Sequence, residues 1–161
     1  MYLSFLDSFL NVYSKIQLVL IGAFNENIMN IIPDKIKSKI TLMGLLPNDM
    51  LRYWYRVTDI AVIPSYYEQC SYSCIEMMMY GLPIVASDGF GVKSMFNEHN
   101  AIIAKIHKDT NQYAINISES IFFFINKKKR VKMGAKSREN YKNKYEISYM
   151  IKGYTNLIHS L

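Results

Sequence analysis

Five short apolar runs, each stopped by glycine or proline or by the turn residues beyond, constrain this chain more than any other feature. Ile16–Ile21 is continuous and partly β-branched and ends at Gly22. Lys39–Met43 repeats the pattern and ends at Gly44, and Asp59–Ile63 is stopped by Pro64-Ser65. Pro83–Ser87 runs into Gly89-Phe90-Gly91, which opens a short helix, and Ala101–Ala104 is the fifth run. Apolar runs of this length, without polar alternation, read as strands covered on both faces, the signature of parallel sheets. Helical spacing fills the spaces between them. Leu3, Leu6, Phe9, Leu10 and Tyr13 mark a helix over Tyr2–Tyr13, and Met50–Val57 reads as another after the Pro47-Asn48-Asp49 turn. Ser71–Tyr80 is a third, with Ser71 as N-cap and Gly81 at C′. From Asn111 the pattern is helical to the end, so residues 109–161 form an all-helical closing segment of one domain spanning 1–161. Strand–helix alternation of this kind predicts an α/β fold, a parallel sheet flanked by helices and joined by right-handed crossovers. Such sheets bind ligands at the carboxyl ends of their strands. The loops after Ile21, Met43, Ile63 and Ser87 are therefore the places to look.

Length and charge narrow the class. A chain of 161 residues, half of them apolar, can bury a real core. That excludes disulfide scaffolds and disordered tails. No apolar run reaches the length of a membrane span. The apolar start carries Asp7 and no basic leader, so it does not read as a signal peptide. Cys70 and Cys74 are then expected to be reduced thiols of a cytoplasmic protein, small and half-buried. The net charge of +6 is unevenly placed: residues 1–120 carry 9 basic and 11 acidic side chains, residues 121–161 carry 10 and 2. The basic excess begins at Lys127-Lys128-Lys129-Arg130 and reads as the wet side of amphipathic helices, with Ile, Met and Tyr on the other side. Contact with an anionic membrane surface is the alternative use of that charge. Nucleic acid is not expected, because no aromatic-interleaved reading face accompanies it.

The stretch with chemistry in it is Pro64–Gly91, PSYYEQCSYSCIEMMMYGLPIVASDGFG. A strand ends, Glu68 sits in the following loop, and a helix begins whose first backbone N–H groups, around Cys70, Ser71, Tyr72 and Ser73, form an anion cradle. Glu76 lies about one and a half turns into that helix, where a carboxylate can accept two hydrogen bonds from a vicinal diol. Ile75 and Met77–Met79 around it mark a mostly buried helix, so an unpartnered carboxylate there would be costly. Gly89 and Gly91 would let backbone approach a ligand closely. An anion cradle flanked by two hydroxyl-binding carboxylates matches a nucleoside diphosphate sugar. Each Glu taken singly is an ordinary loop or helix residue; the combination carries the reading.

The order Pro64-Ser65, Glu68, seven residues, Glu76, then Gly81-x-Pro83-Ile84-Val85-Ala86-Ser87 resembles the donor-site signature of retaining GT-B glycosyltransferases, specifically the glycosyl transferases group 1 (family four). Leu18–Gly22 and Ile40–Gly44 resemble two of its strand–turn units, and Tyr53–Ile63, Gly91–Ala104 and Val131–Leu161 resemble its later segments. The resemblance implies a Rossmann-like C-terminal half of a GT-B fold. Glu76 would bind the donor ribose, and Glu68 would contact the transferred sugar as the catalytic residue. The amides of Cys70, Ser71, Tyr72 and Ser73 would hold sugar hydroxyls and a phosphate, and Gly44, Leu45 and Leu46 would lie against the base. It implies a hexosyl-type transfer with retention, no metal and no cofactor beyond the nucleotide sugar, in glycan biosynthesis by a bacterial protein, cytoplasmic or peripheral at the inner face of the membrane.

The departures are specific. Cys70-Ser71 stands where the family has Phe-Gly, Ser94 where it has Glu, with Lys93 beside it, and Ala101 where it has Gly. The resemblance also implies an N-terminal acceptor domain, a first strand and a phosphate-gripping Arg…Lys pair that this sequence does not contain, and hence exposed apolar surface and marginal stability. Two functions stay open: the donor half of a glycosyltransferase, or a non-catalytic nucleotide-sugar-binding or scaffold module. A dehydrogenase is disfavoured because Gly22 is followed by Ala23, Phe24 and Asn25 rather than a G-x-G-x-x-G turn. The three histidines, His99, His107 and His159, fall in no pattern.

Overall fold

The computed structural model describes residues 6, 8–10, 12–25 and 27–160. Tyr2, Leu3 and Asp7 of the expected first helix lie outside them, while Leu6, Ser8, Phe9, Leu10 and Val12 are helical. All five expected strands form: β1 Leu18–Ile21, β2 Ile40–Gly44, β3 Ala61–Ile63, β4 Ile84–Ser87 and β5 Ile102–Ala104. Between β1 and β2 lie two single-turn helices that the apolar pattern does not announce, α1 Ile28–Ile31 and α2 Asp34–Lys37. The remaining helices are α3 Asn48–Val57, α4 Tyr72–Met79, α5 Val92–Met95, α6 Thr110–Phe123, α7 Lys127–Lys144 and α8 Ile147–His159. The helical tail is thus three helices, each started by a polar residue. The Asp109 carboxylate accepts the Asn111 N–H, and the Asn126 side chain accepts those of Lys128 and Lys129.

Every strand pair is parallel, but the ladder is not continuous. Among the described residues β1 pairs only with β2, and β3, β4 and β5 form a separate three-stranded ladder in that order. The single sheet expected from the apolar runs is therefore interrupted between β1 and β3.

Alternation along β4 sorts the core into two layers. Val85 points into one, with Phe9, Val12, Ile28, Ile36, Tyr113, Ile117 and Phe124. Ile84 and Ala86 point into the other, with Tyr55, Cys74, Met78, Val92 and Met95. The first layer is shared by both ladders: Leu18, Leu20, Ile40 and Leu42 pack against it alongside Val62 and Ile102. The N-terminal helical segment, α1, α2 and α6 therefore cover one face, and α3, α4, α5 and α7 the other. All four residues of β4 are buried, while the equally apolar β1 is only half-buried throughout.

The basic tail splits in behaviour. On α7 the lysines face solvent, and the helix packs its small side against α4. A side chain at Gly134 would begin 2.3 Å from the Gly81 carbonyl oxygen, so only hydrogen permits this approach. Asn140, also on α7, donates instead to the Met95 carbonyl at the end of α5, at 3.2 Å. The expected amphipathic packing fails on α8, which has no buried residue: Ile147, Met150, Ile151, Tyr154 and Ile158 are all exposed. Among the described residues no helix is long and apolar enough to cross a membrane.

Met78 is fully buried between α4, β4 and α7. Met78→Ala should cost about 2–5 kcal/mol through lost burial and a residual cavity, read as a lowered denaturation midpoint with an unchanged slope.

Candidate functional site

The loop that carries Glu68 is clasped from below. It leaves β3 at Pro64, whose carbonyl accepts the Tyr113 hydroxyl at 3.0 Å. The Ser65 carbonyl accepts the Ser87 hydroxyl from the end of β4, and Ser87 in turn accepts the Gly89 N–H at 3.3 Å. Two backbone bonds then zip the β3 loop to the β4 loop: Phe90 N–H donates to Tyr66 O at 3.2 Å, and Glu68 N–H to Phe90 O at 2.9 Å. Tyr67 and Phe90 stack above this bridge, ring centroids 5.2 Å apart, both largely exposed.

Gly89 and Gly91 serve this contact. A Cβ on Gly89 would lie 2.4 Å from the Ser65 carbonyl oxygen, and one on Gly91 only 1.6 Å from that of Glu68. Gly91 also holds φ +81°, a conformation side chains rarely adopt. The close approach expected of these glycines is present, but the approaching backbone is that of the Glu68 loop.

Both carboxylates are held by hydroxyls. Ser65 Oγ donates to Glu68 Oε1 at 3.0 Å, leaving the second carboxylate oxygen outside that bond. Tyr55 Oη, from α3, donates to Glu76 Oε2 at 2.8 Å. Burial first, and the Glu76 carboxylate second, push the Tyr55 phenol well above its ordinary range, so it stays a donor. Tyr55 is fixed by stacking on Tyr80, 5.4 Å away. Nothing in the sequence spacing points to Tyr55, which lies 21 residues from its partner; only the packing of α3 beside α4 brings them together. Among the described residues, the ion pairs formed by Lys and Arg involve neither Glu68 nor Glu76.

The helix start behaves as its sequence predicts. Ser71 is the N-cap of α4, and its hydroxyl accepts the Cys74 N–H at 3.4 Å. Of the first four amides, those of Ser71, Tyr72 and Ser73 remain for a ligand. Tyr72 is strongly exposed at this mouth, and Cys70 is exposed rather than half-buried, because it lies in the loop before the helix. Cys74 is fully buried, one turn in. Gly44, Leu45 and Leu46 sit at the carboxyl end of β2, in the other ladder, with Gly44 at φ +65° and Leu45 79% exposed. Ser94 turns back onto its own helix start, its hydroxyl donating to the Gly91 carbonyl at 2.7 Å. No group of three or more His, Cys, Asp or Glu that could hold a metal ion occurs among the described residues.

A cavity of about 780 Å³ lies elsewhere, between the loop 97–100 and α7, lined in part by Lys129, Lys132 and Lys136. It includes none of the residues expected to bind a ligand. The sheet end is the better candidate because its two carboxylates flank the start of α4; the cavity, although Glu98 and Glu139 also line it, includes no residue of that helix start.

A family model described as glycosyl transferases group 1 matches residues 2–121. The chain belongs to this family. Within it, the putative teichuronic acid biosynthesis glycosyltransferase TuaC of Bacillus subtilis is 32% identical over 62 residues, 38% of this chain and 16% of that protein. The C-terminal domain of LpcC, a glycosyl transferase group 1 family protein from Francisella tularensis, superimposes at a TM-score of 0.72 with 20% identity, over 91% of this chain and 80% of that one. The pneumococcal O-GlcNAc transferase GtfA, solved with UDP and GlcNAc, superimposes at 0.78 with 14% identity, over 99% of this chain and 32% of that one. The group 1 chain described here therefore spans about a third of GtfA, and its match to TuaC about a sixth of that protein. Its fold is that of the Rossmann-like half of the GT-B architecture.

Two outcomes follow from this geometry. Gly91→Ala should destabilise the chain by about 1–3 kcal/mol, since a strained backbone and a displaced Glu68 loop are unavoidable; a lowered melting temperature checks it. Burial first, with the Glu68 carboxylate nearby, pushes the Cys74 thiol up from 9.0 to about 11. A thiol neutral in the folded chain but ionising near its ordinary value when unfolded contributes stability below about pH 9 that is lost through about pH 11. Stability should therefore fall over that window and fall less in Cys74→Ala. Iodoacetamide at pH 8 should label Cys70 in the native chain and Cys74 only after unfolding.

Proposed function

We propose that this chain is the donor-binding domain of a retaining hexosyltransferase, taking a nucleoside diphosphate sugar at the carboxyl end of β3 and β4. The observation that carries the reading is the pair of hydroxyl-held carboxylates, Glu68 and Glu76, on either side of the α4 N-terminus. Each has an oxygen outside its internal hydrogen bond, and an acceptor-only group of this kind selects ligands rich in hydroxyls. Between them the first amides of α4, at Ser71–Ser73, and the positive end of the α4 dipole suit a diphosphate. Membership of the group 1 family and the likeness to a protein solved with UDP support the same ligand class.

In this reading Glu76 binds the ribose diol, aligned by the Tyr55 hydroxyl. Glu68, aligned by Ser65, lies nearest the transferred sugar and stabilises charge developing at its anomeric carbon. The α4 amides hold the leaving diphosphate, with no metal required. Gly44–Leu46 bound the base side of the crevice. The acceptor binds to a further domain, and a crevice without a cation paired to either carboxylate leaves room for that domain or another segment to supply one. That same feature favours the second reading, a module that binds nucleotide sugar without transferring it.

Thermal-shift titration separates the readings. UDP, GDP and their sugars at millimolar concentration should raise the melting temperature for at least one base. Glu76→Ala should abolish the shift, and Tyr55→Phe should weaken affinity by about 2–10-fold, the worth of one hydrogen bond. No shift with any of them removes donor binding; a shift without sugar transfer once an acceptor domain is supplied leaves the binding module.

A further inference from the structure

The cavity beside α7 takes no part in the crevice. The loop 97–100 that bounds it leads into the amino end of β5, whereas Glu68 follows the carboxyl end of β3. β3, β4 and β5 are parallel, so the two sites lie at opposite ends of that ladder. α6 ends at Phe123, beside the cavity, and α7 starts a few residues later. At about 780 Å³ the cavity falls within the roughly 300–1,000 Å³ of small-molecule sites.

One wall is a single stripe of α7. Lys129, Lys132, Lys136, Asn140 and Asn143 follow one another at steps of three or four residues, which keeps them on one helix face. The three lysines span about 10 Å along the helix axis. They are not equivalent. Lys136 is paired with Glu139 at 2.7 Å, and Lys129 rests over the Phe123 ring, 3.9 Å from its centroid. Lys132 forms no ion pair among the described residues. The wall therefore presents one unpaired ammonium and one held only by an aromatic face.

The hydrogen-bonding groups differ between the two walls. Asn100 Oδ1 accepts the Asn97 N–H at 2.8 Å, and Asn97 Oδ1 accepts the His99 N–H at 2.9 Å. With both side-chain oxygens used inside the loop, the side-chain N–H groups of Asn97 and Asn100 remain as donors. Asn140 is the reverse. Its Nδ2 donates to the Met95 carbonyl and contacts Met78 Sδ, so its Oδ1 is left, without a bond among the described residues, on a side chain only 9% exposed. A largely buried oxygen of this kind is completed by a donor from water or a ligand.

The charge balance selects the ligand. Lys129, Lys132 and Lys136 against Glu98 and Glu139 leave an excess of one positive charge, with His99 neutral. A densely charged polyanion would meet both carboxylates as well as the lysines. A ligand with few anionic groups and many hydroxyls is met by ammonium, amide and carboxylate alike. Phe123 and Met133 add apolar surface for the ring faces of such a ligand.

We propose that this cavity binds an acidic saccharide, with its carboxylate or phosphate ester on Lys132 and Lys129 and its hydroxyls on Asn97, Asn100 and Asn140. The site is independent of donor binding at the start of α4, and a saccharide held here leaves the crevice free.

Nuclear magnetic resonance titration of the isotope-labelled chain reads binding residue by residue. The acidic probes are a hyaluronan tetrasaccharide and glucose 6-phosphate, which carry a carboxylate and a phosphate ester respectively. Chitotetraose is the neutral control and tripolyphosphate the dense anion. At least one acidic probe should saturate at millimolar concentration or below, shifting the side-chain amides of Asn97, Asn100 and Asn140 and the backbone of residues 129–136. Which of the two binds identifies the anion. Lys132→Glu should weaken that binding about threefold to tenfold, the effect of reversing one exposed charge, with the melting temperature unchanged. Lys132→Gln should give a smaller loss. No shift with either acidic probe, shifts confined to the α4 crevice, or equal binding of chitotetraose would each overturn the proposal. So would tighter binding of tripolyphosphate than of either saccharide, or unchanged affinity in Lys132→Glu.

Discussion

β4 is the element on which the rest of this structure depends. Its four residues are all buried, it is bonded on both edges, and its alternating side chains divide the interior into two layers. Val85 holds the layer under the N-terminal helical segment and α6, and Ile84 and Ala86 hold the layer under α4 and α5. Its last residue, Ser87, then binds the Ser65 carbonyl and so fixes where the β3 loop begins. A disturbance of β4 would reach both cores and the crevice together, because close-packed interiors relax poorly.

From that strand the site is assembled by backbone contact more than by side-chain chemistry. The two bonds between Tyr66–Glu68 and Phe90 make the β3 and β4 loops one unit, and the glycine at 91 lets them touch. Glu68 is thereby held at the mouth of α4, while Tyr55 reaches from α3 to hold Glu76. Among the described residues neither carboxylate pairs with a Lys or Arg, and each is held by a hydroxyl. Candidate binding groups carried on loops above a rigid scaffold are usual at the ends of strands.

Much of this could be read without coordinates. The five strands, the N-cap Ser71, the glycine after α4 and the helical tail follow from apolar runs and turn residues, which act locally. The one-turn helices at Ile28–Ile31 and Asp34–Lys37 could not, since four residues carry no period. Tyr55 was out of reach for a different reason: its bond to Glu76 spans two helices. The glycines at 89 and 91 were visible, but the atoms crowding them belong to a loop more than twenty residues earlier. On α8 the apolar stripe was legible and its burial was not, because a pattern shows a face without showing what covers it.

The sequence by itself determined the alternation of strands and helices, the two carboxylates beside a helix start, and the family to which the chain belongs. Each of these rests on spacing within a few turns of chain. Only the tertiary structure decided that the parallel ladder breaks between β1 and β3 and that both halves still share one core layer. It alone decided which hydroxyls hold Glu68 and Glu76. Strand pairing and such contacts depend on which faces the crossovers take, and handedness acts on whole strand–helix–strand units rather than on neighbouring residues.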